Sequence, residues 1–293
     1  MIEYLRQQGV SPQLLTEVEK YRAQYPWTEN QLPLQEPHYR FFGKEIWEQA
    51  LAALLAGENL LLAGNKAAGK NVLAENLAYV FGRYNRNISF HINMDASLML
   101  GTDTFQRGEV VFRPGPVYQC AQEGSFGILD EINMARNEAL ASLHAILDYR
   151  RRIDIPGYGS IALHPATRFV ATMNYGYAGT RELNEALASR FVVIQLPDLT
   201  EQVLAGIMEQ EYPDLDRQIK KNLAGLFLDL QLKCQQGEIS SKAVDLRGLF
   251  GAIAMYKQGL SLKLAIELGM VNKVFNEEER QLLEDLLSLR ISD

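Results

Sequence analysis

The spacing of apolar residues changes along this chain, and the change divides it. As far as residue 197, short apolar runs alternate with stretches at helical spacing; beyond it only helical spacing remains. Leu5, Val10, Leu14, Leu15, Val18 and Tyr21 recur at helical spacing and Pro12 interrupts them, so residues 1–24 predict one or two short helices. Pro26, Pro33 and Pro37 then predict an extended connector over 25–38. A helix is expected over 46–56, with Gly57 placed to end it. Strands are expected at 59–63, 87–94, 126–129, 167–173 and 191–196. Helices are expected at 72–81, 95–99, 117–123, 137–149 and 182–189. Two turn-rich stretches interrupt the alternation. Residues 101–116 surround Val110-Val111-Phe112, and 151–155 should pair with 160–163 across Pro156-Gly157-Tyr158-Gly159 as a hairpin. The pattern predicts N-terminal helices and a connector at 1–38, an α/β domain at 39–197, and an all-helical domain at 198–293.

One stretch in the α/β part carries chemistry. The apolar run Leu60-Leu61-Leu62-Ala63 enters Gly64-Asn65-Lys66-Ala67-Ala68-Gly69-Lys70-Asn71-Val72, which opens an amphipathic helix. Strand, G-x-x-x-x-G-K and helix together are the context of a phosphate-binding loop. Gly64 and Gly69 permit backbone conformations that let successive N–H groups point at a phosphate. The helix N-terminus adds partial positive charge, and Lys70 can reach the β- and γ-phosphates. The pattern then asks for a Ser or Thr hydroxyl on Mg²⁺, and the chain has Asn71, whose amide oxygen can also ligate a hard cation. A second apolar run, Phe126-Gly127-Ile128-Leu129, ends in Asp130 and Glu131. A strand-end aspartate beside such a loop can hold Mg²⁺ through its water shell, and the adjacent glutamate can polarise an attacking water. Asn174, at the tip of a third strand, offers an amide that could orient the same water.

Composition excludes some classes. The 293 residues are 47% hydrophobic and 22% charged, as in ordinary globular proteins with room for one large core or two modest ones. A net charge of −7 gives no overall footprint for nucleic acid. Cys120 and Cys234 lie far apart without a C-x-x-C partner, which fits a reducing cytoplasm. His38, His91, His144 and His164 share no metal-ligand spacing. No signal peptide is read at the start, and no apolar stretch is long enough to span a bilayer, so a cytoplasmic location is expected.

Three segments now stand in a recognisable order: Asp130-Glu131-Ile132-Asn133-Met134-Ala135, Ala171-Thr172-Met173-Asn174, and Gly179-Thr180-Arg181-Glu182 through Ala188-Ser189-Arg190-Phe191. Over residues 41–256 the chain resembles AAA+ ATPases, most of all the MoxR branch and its dynein-related relatives of the CbbQ, NirQ/NorQ and GvpN type. The resemblance implies an αβα P-loop NTPase sandwich, with a parallel sheet in the order 5-1-4-3-2 and a small helical lid. It makes Lys70 the Walker A lysine, Asp130 the Walker B metal acid, Glu131 the base and Asn174 sensor 1. It makes Arg190 the finger offered to a neighbouring subunit's ATP, with Arg181 a second candidate, and Arg247 the sensor 2 arginine opening a lid helix. Residues 101–116 and 151–164 sit where the branch has its helix-2 insertion and pre-sensor-1 hairpin. ATP and Mg²⁺ are the implied cofactors and a homo-oligomeric ring, a hexamer, the implied assembly. The implied function is ATP-driven remodelling, assembly or activation of a protein client, with a von Willebrand A domain protein as a common partner. Two rivals are a scaffold that binds ATP and hydrolyses it weakly, which Asn71 favours, and a motor subunit of a nucleic-acid machine, which the acidic charge opposes.

Overall fold

A computed structural model describes residues 1–28, 31–155, 157–175 and 182–291. The chain forms two compact units, Met1–Gly64 with Gly69–Leu196, and Asn65–Ala68 with Pro197–Asp293.

In the first unit, five strands make a parallel sheet in the order β2-β5-β8-β1-β9. They are β1 (Leu60–Gly64), β2 (Asn85–Ser89), β5 (Phe126–Asp130), β8 (Arg168–Asn174) and β9 (Val192–Gln195). Numbered within the sheet by chain order, this is 5-1-4-3-2. The run Leu60–Gly64 is buried along its whole length because helices cover both faces of a parallel sheet. Helix α4 (Lys70–Val80) packs on β1, β2, β5 and β8, while α6 (Pro116–Glu123) packs on β2 and β5 and α3 (Lys44–Leu55) on β1 and β9. Two antiparallel hairpins stand apart from the sheet: β3 (Gly101–Gln106) with β4 (Glu109–Pro114), and β6 (Arg152–Ile155) with β7 (Gly159–Ala162). The short helix α5 (Ala96–Leu100) leads into the first hairpin.

The N-terminal segment forms α1 (Ile2–Gln7) and α2 (Pro12–Gln24), with Pro12 opening the second helix at the position where its missing N–H costs nothing. Both pack onto this unit. Tyr4 donates its hydroxyl hydrogen to the Phe41 carbonyl (2.9 Å), and Tyr21 donates to Ala166 (2.5 Å).

Three predicted elements differ in extent. The strand expected over 87–94 spans Asn85–Ser89, because β5, its one neighbour among the described residues, ends opposite Ser89 at Asp130. Phe90 and Met94 continue the apolar alternation as core residues of a turn. The helix expected over 137–149 is broken into α7 (Asn137–Leu140), a 3₁₀ turn at Ala141–Leu143 and α8 (His144–Leu147). Leu140, Leu143, Ile146 and Leu147 along it are all buried in the core. The helix expected over 182–189 is the single turn α9 (Glu185–Ala188), started where the Asn184 side chain accepts from Leu187 N–H.

The second unit contains α10 (Glu201–Glu211), α11 (Arg217–Gln235), α12 (Leu246–Lys257), α13 (Leu262–Gly269) and α14 (Glu277–Arg290). Leu204, Met208, Phe227, Leu230, Ile253 and Leu287 are among its buried side chains. Helices α12 and α13 approach closely: a Cβ at Gly248 would sit 2.4 Å from the Gly269 carbonyl oxygen.

Candidate active site

The loop after β1 begins at a glycine that the sheet requires. A Cβ on Gly64 would lie 2.8 Å from the Leu196 carbonyl oxygen. Further along, Ala67 (φ 67°) and Gly69 (φ 84°) both adopt the left-handed conformation, which turns neighbouring amides toward one side. Helix α4 starts at Lys70 with Gly69 as its N-cap and no side-chain capping bond, and a helix N-terminus carries the partial positive charge that favours an anion. Lys70 is 7% exposed and donates to the Gly64 carbonyl at 3.0 Å, which holds the ammonium beside the loop. Asn71 and Val72 follow, half-buried, in the first turn of α4. Asn65 is exposed and donates to Asp198 (2.9 Å), Ala68 is buried, and Lys66 is partly exposed.

Strand register brings the other polar residues to the same end of the sheet. Gly64 pairs with Asn174, and Leu129 with Ala171, so β1, β8 and β5 all finish there. Strands lie roughly 4.8 Å apart and Asp130 stands level with Thr172, two residues short of Asn174, so Gly64 and Asp130 flank that strand at about 12 Å from each other. Ligands of open α/β sheets bind beyond these carboxyl ends. Asp130 is half-buried and accepts from the Thr172 hydroxyl at 2.7 Å. Glu131 is exposed, with its backbone in the left-handed region (φ 54°) and its N–H donating to Thr172 Oγ1 at 3.0 Å. Asn174 Nδ2 donates to Glu131 Oε1 (3.0 Å), and Asn133 Nδ2 donates to the Asn174 carbonyl (3.0 Å). Thr172 and Asn133 stand within the segments that carry the resemblance, yet the sequence gives neither a role. A threonine in an apolar strand reads as an ordinary strand former, and only the fold sets it beside two acids.

The donor set fits a magnesium nucleotide. Loop amides and Lys70 suit phosphate oxygens; the Asp130 carboxylate and the Asn71 amide are hard oxygen donors suited to Mg²⁺. Among the described residues no group of three or more acids, histidines or cysteines is placed to hold a metal ion.

One predicted arginine lies elsewhere. Arg190 precedes β9, whose first residue pairs with Leu60, so it stands at the amino end of the strands. The loop leaves their carboxyl end, about 15 Å away along a five-residue strand. The Arg190 guanidinium is engaged there: Nε donates to the His144 carbonyl (3.1 Å), Nη1 donates to that of Ala186, and Nη2 lies 3.7 Å from Asp148. Asp148 also receives a bidentate bond from Arg150, which holds its carboxyl below the usual range. Arg247 is exposed in the first turn of α12, in the second unit. Burial raises the carboxyl of Asp245, the cap of that helix, but the bond from Lys273 and the charges of Lys273 and Lys66 outweigh it and leave it lowered. Arg181 lies outside the described residues, as does Pro156 of the second hairpin. The two hairpins meet: Tyr158 donates to Asp103 (2.7 Å), and its ring lies 4.9 Å from that of Phe112. Phe105 is 76% exposed on the first of them.

A parallel sheet of this order, with a G-x-x-x-x-G-K loop after β1 and an acidic pair at the end of β5, defines a P-loop nucleotide-binding fold. Residues 59–191 match the family described as AAA domain (dynein-related subfamily). An uncharacterized protein of Staphylococcus epidermidis is 30% identical over 86% of this chain and 97% of its own length. One from Staphylococcus saprophyticus is 32% identical over 83% and 95%, and one from Staphylococcus aureus 32% identical over 86% and 98%. A crystal structure of a protein from Cytophaga hutchinsonii overlays with a TM-score of 0.49 at 16% identity, covering 97% of this chain and 86% of that one. The chain belongs to the AAA domain family, dynein-related subfamily, a family of ATPases. Among the described residues no helix is long and apolar enough to cross a membrane.

Proposed function

We propose that this protein hydrolyses ATP with Mg²⁺, works as a homo-oligomeric ring of the MoxR type, and uses the cycle to remodel or activate a protein client. The observation that carries the reading is the convergence of Gly64, Asp130, Glu131 and Asn174 at one end of the sheet, beside the loop that bears Lys70. In this reading the loop amides and Lys70 grip the phosphates. Asn174 occupies Glu131 Oε1 and leaves Oε2 to accept a proton from the attacking water. The water oxygen bonds to the γ-phosphorus as the bond to the β-γ bridging oxygen breaks. Bound Mg²⁺ would neutralise charge on the β- and γ-oxygens.

Arg190 stands at the far end of its own sheet, which supports a role toward a neighbouring subunit's nucleotide. A guanidinium supplied in trans is worth on the order of 10³–10⁵ in rate. Hexameric assembly, a von Willebrand A domain partner, a cytoplasmic location, and sensor 2 as the role of Arg247 belong to the same proposal. Mg²⁺-dependent ATP hydrolysis followed against protein concentration, with Arg190→Ala alongside, tests it. Specific activity should rise with concentration and collapse in the variant. Activity that is independent of concentration and unchanged by Arg190→Ala overturns the ring. Asn71, in place of a hydroxyl, favours a second reading, a nucleotide-gated scaffold. Tight ATP binding without turnover in the assembled protein would select it.

A further inference from the structure

We infer that Thr172 is the positioning residue of this site, its single hydroxyl setting the orientation of both acids that end the β5 strand. The inference rests on the reading of Asp130 and Glu131 as metal acid and base. Thr172 is 1% exposed, near the carboxyl end of β8. Its Oγ1 donates to Asp130 Oδ1 (2.7 Å) and accepts from the Glu131 N–H (3.0 Å). A carboxylate only accepts and a backbone N–H only donates, so the group between them must do both; a hydroxyl does. Valine has the same shape and does neither.

Each bond has a consequence. The bond to Oδ1 fixes the rotation of the Asp130 carboxylate and leaves Oδ2 to serve a metal's water shell. The bond from Glu131 anchors a residue whose backbone (φ 54°) is uncommon for any side chain larger than hydrogen. Thr172 and Asn174 are two apart on β8 and so share a face of the strand. One therefore holds Glu131 at its backbone and the other at its carboxylate. Asn133 closes the ring by donating to the Asn174 carbonyl.

Thr172→Val and Thr172→Ser separate this role from simple core filling, since valine keeps the volume and serine keeps the hydroxyl. A fluorescent ATP analogue is titrated with EDTA and then with Mg²⁺, and steady-state kcat and KM for ATP are measured on the same preparations. Thr172→Val should keep the metal-free affinity, lose most of the gain that Mg²⁺ adds, so that KM for ATP rises toward the metal-free value, and lower kcat by about 10- to 100-fold. Thr172→Ser should retain the Mg²⁺ gain and most of kcat. A folded valine variant with the wild-type Mg²⁺ gain and kcat overturns the inference. So does a folded serine variant that has lost both, which keeps the test decisive if valine fails to fold. The underlying reading fails separately, through wild-type protein that gains nothing from Mg²⁺ or through unchanged turnover in Glu131→Gln.

Discussion

At Gly64 a single hydrogen decides whether the end of β9 can close on the loop strand. Gly64→Ala drives a Cβ into the Leu196 carbonyl oxygen, a backbone atom that cannot swing aside. We expect a loss of about 1–3 kcal/mol in urea unfolding, the usual cost of overpacking, together with weaker nucleotide binding. An unchanged midpoint would mean that the strands part without cost. The two cysteines differ in exposure. Cys120 is fully buried, and burial pushes its thiol up to about 12; Cys234 is partly exposed, and burial raises its thiol as well. Native protein at pH 8 should therefore expose one thiol to a disulfide reagent, Cys234, with the second reacting only in denaturant. Equal rates for both in native protein would contradict the buried placement. Gly64 announces itself in the sequence through the motif. The left-handed backbone of Ala67 does not, because alanine seldom adopts that conformation and nothing local marks it.

Among the elements, β1 and β8 are locked at their amino ends by Asn59. This residue is 4% exposed; its amide nitrogen donates to the Leu147 carbonyl (3.1 Å) and its oxygen accepts from Phe169 N–H (3.1 Å). Asn59→Ala leaves a buried donor and a buried acceptor unpaired, and should cost about 2–4 kcal/mol in urea unfolding. A cost near zero would mean that water enters and replaces both bonds. Strand positions were legible because apolar runs bounded by turn residues have few other readings. The end of β2 was not, since a strand stops where its neighbour stops, and that neighbour lies some forty residues on in the chain, at Asp130. The break inside 137–149 is not legible either: its apolar residues keep helical spacing, and the 3₁₀ turn at Ala141–Leu143 leaves no mark in it.

For the whole molecule, the separation of Arg190 from the loop of its own chain makes a distinct prediction. Lys70→Ala should fail to bind ATP yet still offer its arginine, while Arg190→Ala should bind ATP and lack the arginine. Each variant alone should be nearly inactive. Mixed in equal amounts, they should recover a measurable fraction of wild-type hydrolysis, because some interfaces then pair an intact loop with an intact arginine. A mixture no more active than its components would place the arginine's work inside its own chain.

The sequence by itself determined the parts whose chemistry is local. Gly64 to Lys70 lie within one short loop, Asp130 and Glu131 are adjacent, and the shift to helical spacing after Pro197 can be read along the chain. The strand order came through the family resemblance and not through spacing, and the sheet has that order. Only the tertiary structure decided which strand ends stand together, that the Thr172 hydroxyl bridges two acids, and that Arg190 lies at the opposite end of the sheet from the loop. The reason is physical. Periodicity reports how a segment buries its own side chains, whereas pairing between distant strands is settled by packing across the whole core, which no local window contains.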